Sequence, residues 1–166
     1  MSKKYKGKVC VYCSQRESST ADHVFAREFF LKEERENPIK VPACAVCNNA
    51  KSKIEHYLAS VLPFGGMHSD AKEHLSKQVP PRLEKNKRLK NDLKARTKYI
   101  LLPDGSKSLG IPFDGEKFIR LFECISMALS WYHWDTLIRQ ESFVHAMNVT
   151  YYGGRVCQDQ FLRTLR

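Results

Sequence analysis

The sequence predicts an α+β fold stapled near its amino terminus by a metal ion, on three observations. Cys10 and Cys13 form one C-x2-C pair, and Cys44 and Cys47 form a second. Two residues between cysteines let one tight turn present both sulfurs to a single ion, so the quartet suits tetrahedral Zn2+. Apolar residues also recur at helical spacing around residues 48–62 and 116–137, with short extended runs punctuated by Pro and Gly elsewhere. Disulfides are the alternative for the cysteines, but the first eight residues are charged and lack the apolar core of an export signal. A thioredoxin-like redox role would want one such motif in a βαβ setting.

A chain of 166 residues makes one domain or a domain with an appended lobe. With 42% hydrophobic residues and no long apolar run, it contains no membrane span and is expected in the cytoplasm. The net charge of +10 calls for a polyanionic partner, nucleic acid before a membrane, because no basic helix with a broad apolar face stands out.

Residues 1–8 read as a mobile basic tail, 9–80 as the zinc module, 81–98 as a basic nucleic-acid-contacting segment and 99–166 as an α+β lobe. Within the module, residues 9–13 read as a short strand and knuckle. Residues 24–36 read as a charged helix with a stripe of Phe25, Phe29 and Phe30, closed by Asn37 and Pro38. Residues 39–41 are extended. The helix over 48–62 places Ala50, Ile54, Leu58 and Val61 on a core face, with Asn48, Ser52 and Glu55 on another. A turn at Gly65 and Gly66 leads to a short helix over 70–78, and His68, Asp70 and His74 read as a solvated turn leading into it. Residues 81–98 concentrate positive charge on a helix or extended arm. Residues 99–102 form a strand, 116–137 a core helix and 143–152 a further strand. Cys124 reads as a buried thiol, and Trp131, Tyr132 and Trp134 as packing aromatics.

The chemistry gathers around Asp22-His23. Hydrolysis of a phosphodiester needs an activated water, a metal ion for the charge on the phosphoryl oxygens, and groups that hold the backbone. His23 can deprotonate water and Asp22 can ligate a hard divalent ion, while adjacent side chains on a strand diverge enough to flank one phosphate. Asn48, directly after the last cysteine, can offer a carbonyl oxygen to the same ion. Lys51 can reach a phosphate at the helix amino terminus. Glu55 and His56 lie further along that helix, as supporting groups.

The succession Cys-x2-Cys, Asp-His, then Val-Pro-Ala-Cys-x2-Cys-Asn-x2-Lys over residues 9–62 resembles the HNH endonucleases, with their ββα-metal, treble-clef-like core. That resemblance implies a structural zinc on Cys10, Cys13, Cys44 and Cys47. It also implies His23 as general base, and Asp22 with Asn48 as ligands of a catalytic Mg2+ or Mn2+. Asn48 stands where the family's final His would be. Family members carry an Asn before the second cysteine pair that orients the base; here Ile39 or Lys40 occupies that place.

Three functions follow as expectations. The first is a metal-dependent endonuclease acting on double-stranded DNA, gripping phosphates through Lys51, Arg82, Lys85, Arg88 and Lys94. The second is a zinc-dependent nucleic-acid-binding module without catalysis, and the third a defence or toxin nuclease that needs a protein partner. RNA in place of DNA stays open, because phosphate-directed basic surfaces do not distinguish them, and so does homodimerisation.

Overall fold

A computed structural model describes residues 3–35 and 38–138. Two short strands, β1 (Thr20–His23) and β2 (Lys40–Ala43), pair antiparallel with Thr20 opposite Ala43 and His23 opposite Lys40. Val24 extends the ladder by donating its N–H to the Ile39 carbonyl at 2.9 Å. Helix α1 (Ala45–Val61) follows β2 immediately and packs back onto β1. Cys44 is its N-cap, so the second cysteine pair sits in the first helical turn and Asn48 lies one turn inside the helix rather than at its start.

Before β1, the Cys10–Cys13 turn is closed by a hydrogen bond from the Ser14 N–H to the Cys10 carbonyl at 2.9 Å. Ser14 takes a left-handed φ of 51° there, which turns the chain sharply after the second sulfur. Val11 N–H donates to the Pro42 carbonyl at 3.1 Å and docks the turn on β2. Residues 9–13 are therefore a turn with an isolated bridge from Val9 to Glu17, not a strand. The basic tail is anchored as well. Tyr5 is buried, its carbonyl accepts from the Ser18 hydroxyl, and its ring meets Trp131 edge-on at 6.3 Å.

The helix expected over 24–36 is absent as far as residue 35. Two single 3-10 turns, Arg27–Phe29 and Lys32–Glu34, stand in its place. Ala26 and Leu31 are extended, with ψ of 133° and 153°, and break the run. Phe25 and Phe29 still reach the core, so the apolar spacing that suggested a helix is satisfied by turns.

Beyond α1 come a 3-10 turn at Leu62–Gly65, the short α2 (Ser69–Glu73), a π-turn at His74–Gln78, and two helices in the basic segment. These are α3 (Val79–Lys85) and α4 (Lys87–Arg96), parted at Asn86, whose side chain caps α4 by accepting from the Leu89 N–H at 3.1 Å. Strand β3 (Lys98–Leu101) pairs with β4 (Lys107–Gly110), a partner not foreseen from the sequence. Their turn uses Gly105 at φ 82°. Helix α5 (Gly115–Trp134) is capped by Asp114, whose carboxylate accepts from the Lys117 N–H at 3.0 Å.

Leu121, Cys124, Ile125 and Ala128 of α5 join Val11, Val24, Val41, Ala43 and Leu58 in one core. Cys124 is a buried thiol as expected. Trp131 packs on this core, whereas Trp134 is 72% exposed. The strand expected at 143–152 and Asn37 lie outside the described residues. Among the described residues no helix is long and apolar enough to cross a membrane.

Arg82 is correspondingly not a surface charge. One guanidinium nitrogen donates to the Ala59 carbonyl at 2.7 Å, and Nε lies 3.5 Å from the Glu28 carboxylate, with 9% of the side chain exposed. It ties α3 to the last turns of α1, where carbonyls lack helical partners. Arg82→Ala should lower the free energy of denaturant unfolding by about 1–3 kcal/mol. The salt dependence of nucleic-acid binding should stay unchanged in that variant.

Candidate metal centre and the Asp22–His23 site

The α+β fold brings Cys10, Cys13, Cys44 and Cys47 together, their four sulfurs all within 4.8 Å of one another. Tetrahedral Zn2+ with bonds of about 2.3 Å places sulfurs roughly 3.8 Å apart, so small side-chain adjustments suffice. Cys10, Cys13 and Cys44 are buried and none of the four forms a disulfide. Burial pushes the Cys10 and Cys47 thiols up. Cys13 and Cys44 are buried too, but backbone N–H groups outweigh that, those of Gln15 and Arg16 holding Cys13 at about 7 and that of Cys47 lowering Cys44. Four thiolates this close repel one another, and a divalent cation is what lets all of them ionise together. The quartet could hold a metal such as zinc.

Because α1 starts at the second cysteine pair, the same quartet fixes how α1 lies against β1. Asn48, Lys51 and Glu55, at i, i+3 and i+7, form the α1 face that meets β1. Asn48 Nδ2 donates to Thr20 Oγ1 at 3.0 Å, which leaves its Oδ1 as an acceptor. Lys51 is 2% exposed, against the expectation of a phosphate contact, because three acceptors draw it inward. Its ammonium donates to the His23 carbonyl at 2.7 Å, lies 3.1 Å from Asp22 Oδ2, and pairs with Glu55 Oε1. It also stands 5.9 Å from the centre of the Tyr12 ring. The Tyr12 hydroxyl donates to the same Asp22 oxygen at 2.5 Å. Burial, with the Asp22 charge nearby, drives the Tyr12 hydroxyl far above the ordinary phenol range. Burial likewise pushes Glu55 up to about 7, against the pull of Lys51.

This arrangement decides how a catalytic ion fits. Asp22 is 6% exposed and its carboxylate already serves a phenol and an ammonium. As packed, Asp22 and Asn48 do not fit a divalent ion between them. Glu55, expected only as a support, joins Asp22 through Lys51, while His56 instead faces Glu28 at 3.9 Å.

His23 behaves differently. Successive residues on a strand face opposite sides, so with Asp22 turned to α1, His23 belongs to the other face, where it is only half-buried. Desolvation first, and then the charges of Lys40 and Arg27, lower its pKa against the opposing effect of Asp22. Burial and nearby positive charge thus favour the neutral imidazole, the form able to accept a proton. Lys40 is its cross-strand partner, in the neighbourhood where an orienting Asn was sought. Tyr12, Thr20 and Lys40 were not foreseen as site residues; only the β1–β2 register and the docked knuckle bring them there.

Lys85, Arg88 and Lys94 are exposed on α3 and α4. His68 caps α2 by accepting from the Asp70 N–H at 3.3 Å, but His74 is buried rather than solvated. Both histidines line an apolar cleft of about 530 Å³ walled by Phe25, Phe29, Phe118 and Leu121. No protein-family model matches the chain, and no curated protein or solved structure matches it either.

Proposed function

We propose that this chain acts on nucleic acid as an HNH-type phosphodiester hydrolase, on a treble-clef-like ββα module stapled by zinc at Cys10, Cys13, Cys44 and Cys47. The observation that carries the reading is the placement of His23: half-buried at the end of β1, directly opposite Lys40 on β2. In this role the imidazole takes a proton from water while Lys40 and Arg27 hold the scissile phosphate. Exposed Lys85, Arg88 and Lys94 extend the positive surface along the backbone of the substrate, positioning it without reading sequence.

Nicking of supercoiled plasmid by the purified chain, with EDTA, Mg2+ or Mn2+ and His23→Ala alongside, tests the reading. The backbone grip has its own test. Replacing Lys85, Arg88 and Lys94 by Ala should flatten the plot of log affinity against log salt by about 0.9 for each phosphate no longer neutralised. An unchanged slope, measured by fluorescence anisotropy, would place the substrate on another surface.

A second reading is favoured by the burial of Asp22 under Tyr12 and Lys51. The same module would then bind nucleic acid without cutting it. Salt-sensitive binding with no cleavage under any of the three conditions selects it.

A further inference from the structure

We infer that the Lys51 ammonium is the resident cation of an oxygen-lined pocket formed by Asp22, Glu55 and the His23 carbonyl, and that a divalent ion reaches Asp22 only by displacing it. An ammonium has three N–H donors and no acceptor, and here three oxygens meet it. They are Asp22 Oδ2 at 3.1 Å, the His23 carbonyl at 2.7 Å, and Glu55 Oε1. Two carboxylates and a carbonyl are also a donor set that a hard divalent ion prefers. The side chain of Lys51 is 1% exposed, so the charge is held inside and not swung out to solvent. Tyr12 donates its hydroxyl to the same Asp22 oxygen, and its ring stands 5.9 Å from the ammonium. Nothing in this arrangement requires the chain to be a hydrolase. A lysine rooted one turn along α1 from Asn48 competes with any incoming ion without ever diffusing away.

The consequence is a latent metal site. A site open for about a tenth of the time loses roughly tenfold in apparent affinity, so removing the competing cation should recover at least that factor. Mn2+ titration of the zinc-loaded full chain, followed by loss of the free-ion electron paramagnetic resonance signal, measures it directly. The thiolate quartet prefers zinc, so Mn2+ leaves it undisturbed. Lys51→Met should bind one Mn2+ per chain at least about tenfold more tightly than the parent, and adding Asp22→Asn should abolish the gain. Equal affinity in Lys51→Met and the parent, or tight binding that survives Asp22→Asn, overturns the inference. If Lys51→Met does not fold alone, far-UV circular dichroism with added Mn2+ decides: Asp22-dependent recovery of helix supports the pocket, and no recovery overturns it. Absence of plasmid cleavage by the parent chain would defeat the hydrolase reading while leaving the Mn2+ result standing.

Discussion

Cys44→Ser should leave the amino-terminal module unfolded and free of zinc. The size of the effect follows from two magnitudes. Structural zinc sites supply about 10–16 kcal/mol of apparent binding free energy, all of it folding free energy when the site is absent from the unfolded chain. A domain retains only about 5–15 kcal/mol of net stability, so the loss of one ligand exceeds or consumes it. Cys44 has a second role that sharpens the choice. It is the N-cap of α1, its sulfur accepts from the Cys47 N–H at 3.4 Å, and its carbonyl accepts from the Asn48 N–H at 3.0 Å. It therefore joins the cysteine quartet, the end of β2 and the first turn of the helix that presents Lys51 and Glu55. Metal analysis of the purified protein should give one zinc per chain, and close to none for the variant, with helical circular dichroism falling in parallel. Cys124→Ala is the control, since Cys124 is buried in α5 but is not one of the four clustered sulfurs, and that variant should keep full zinc content. A soluble, zinc-free Cys44→Ser protein with the parent's spectrum would remove the metal from the account of the fold.

What could be read from the sequence divides along the range of the interactions involved. The cysteine quartet was legible because its information is local: two pairs, each a single turn, need only be brought together once. Helix α5 was legible because an apolar face repeats over about four turns, and α1 because Ile54, Leu58 and Val61 share a face, although Ala50, expected with them, is exposed. Residues 24–35 misled the same logic. Phe25 and Phe29 stand one helical turn apart, but so do residues on two turns separated by extended positions, and short apolar runs do not distinguish them. Strand β4 is four residues with little alternation, and it is defined by pairing with β3 rather than by its own pattern. The tail failed for a different reason. Its lysines suggested solvent, while Tyr5, the one aromatic among them, found Trp131 more than a hundred positions away in the chain.

Lys51 and Arg82 show where charge alone is a poor guide to a site. Both were expected on phosphates, and both are instead satisfied by the protein itself. The reason for Lys51 lies in three other residues: Tyr12 in the first cysteine turn, Asp22 on β1, and Glu55 one turn further along α1. No single stretch of sequence contains that combination. Breaking such a buried pair by removing one partner costs about 3–5 kcal/mol, which is why the ammonium stays inside rather than reaching for a ligand. The same packing occupies the Asp22 carboxylate, whereas the β1–β2 register leaves His23 half-buried opposite Lys40.

His23→Ala should abolish phosphodiester cleavage while leaving zinc content and nucleic-acid affinity close to those of the parent. A positioned general base contributes about 10²–10⁴-fold to rate, enough to take nicking of supercoiled plasmid below detection in an ordinary time course. The separation from binding is expected because His23 is only half-buried, at the end of a strand. Its carbonyl is what Lys51 holds, and alanine keeps that carbonyl. The cationic groups around it, Lys40 and Arg27, also remain to hold phosphate. Loss of cleavage with intact binding thus identifies a proton acceptor rather than a structural residue. His23→Gln strengthens the distinction, since an amide can mimic the hydrogen bonding of the imidazole without taking a proton, and should be as inactive as alanine. Cleavage that persists in either variant would move the base elsewhere, and the basic surface would then have to be explained by binding alone.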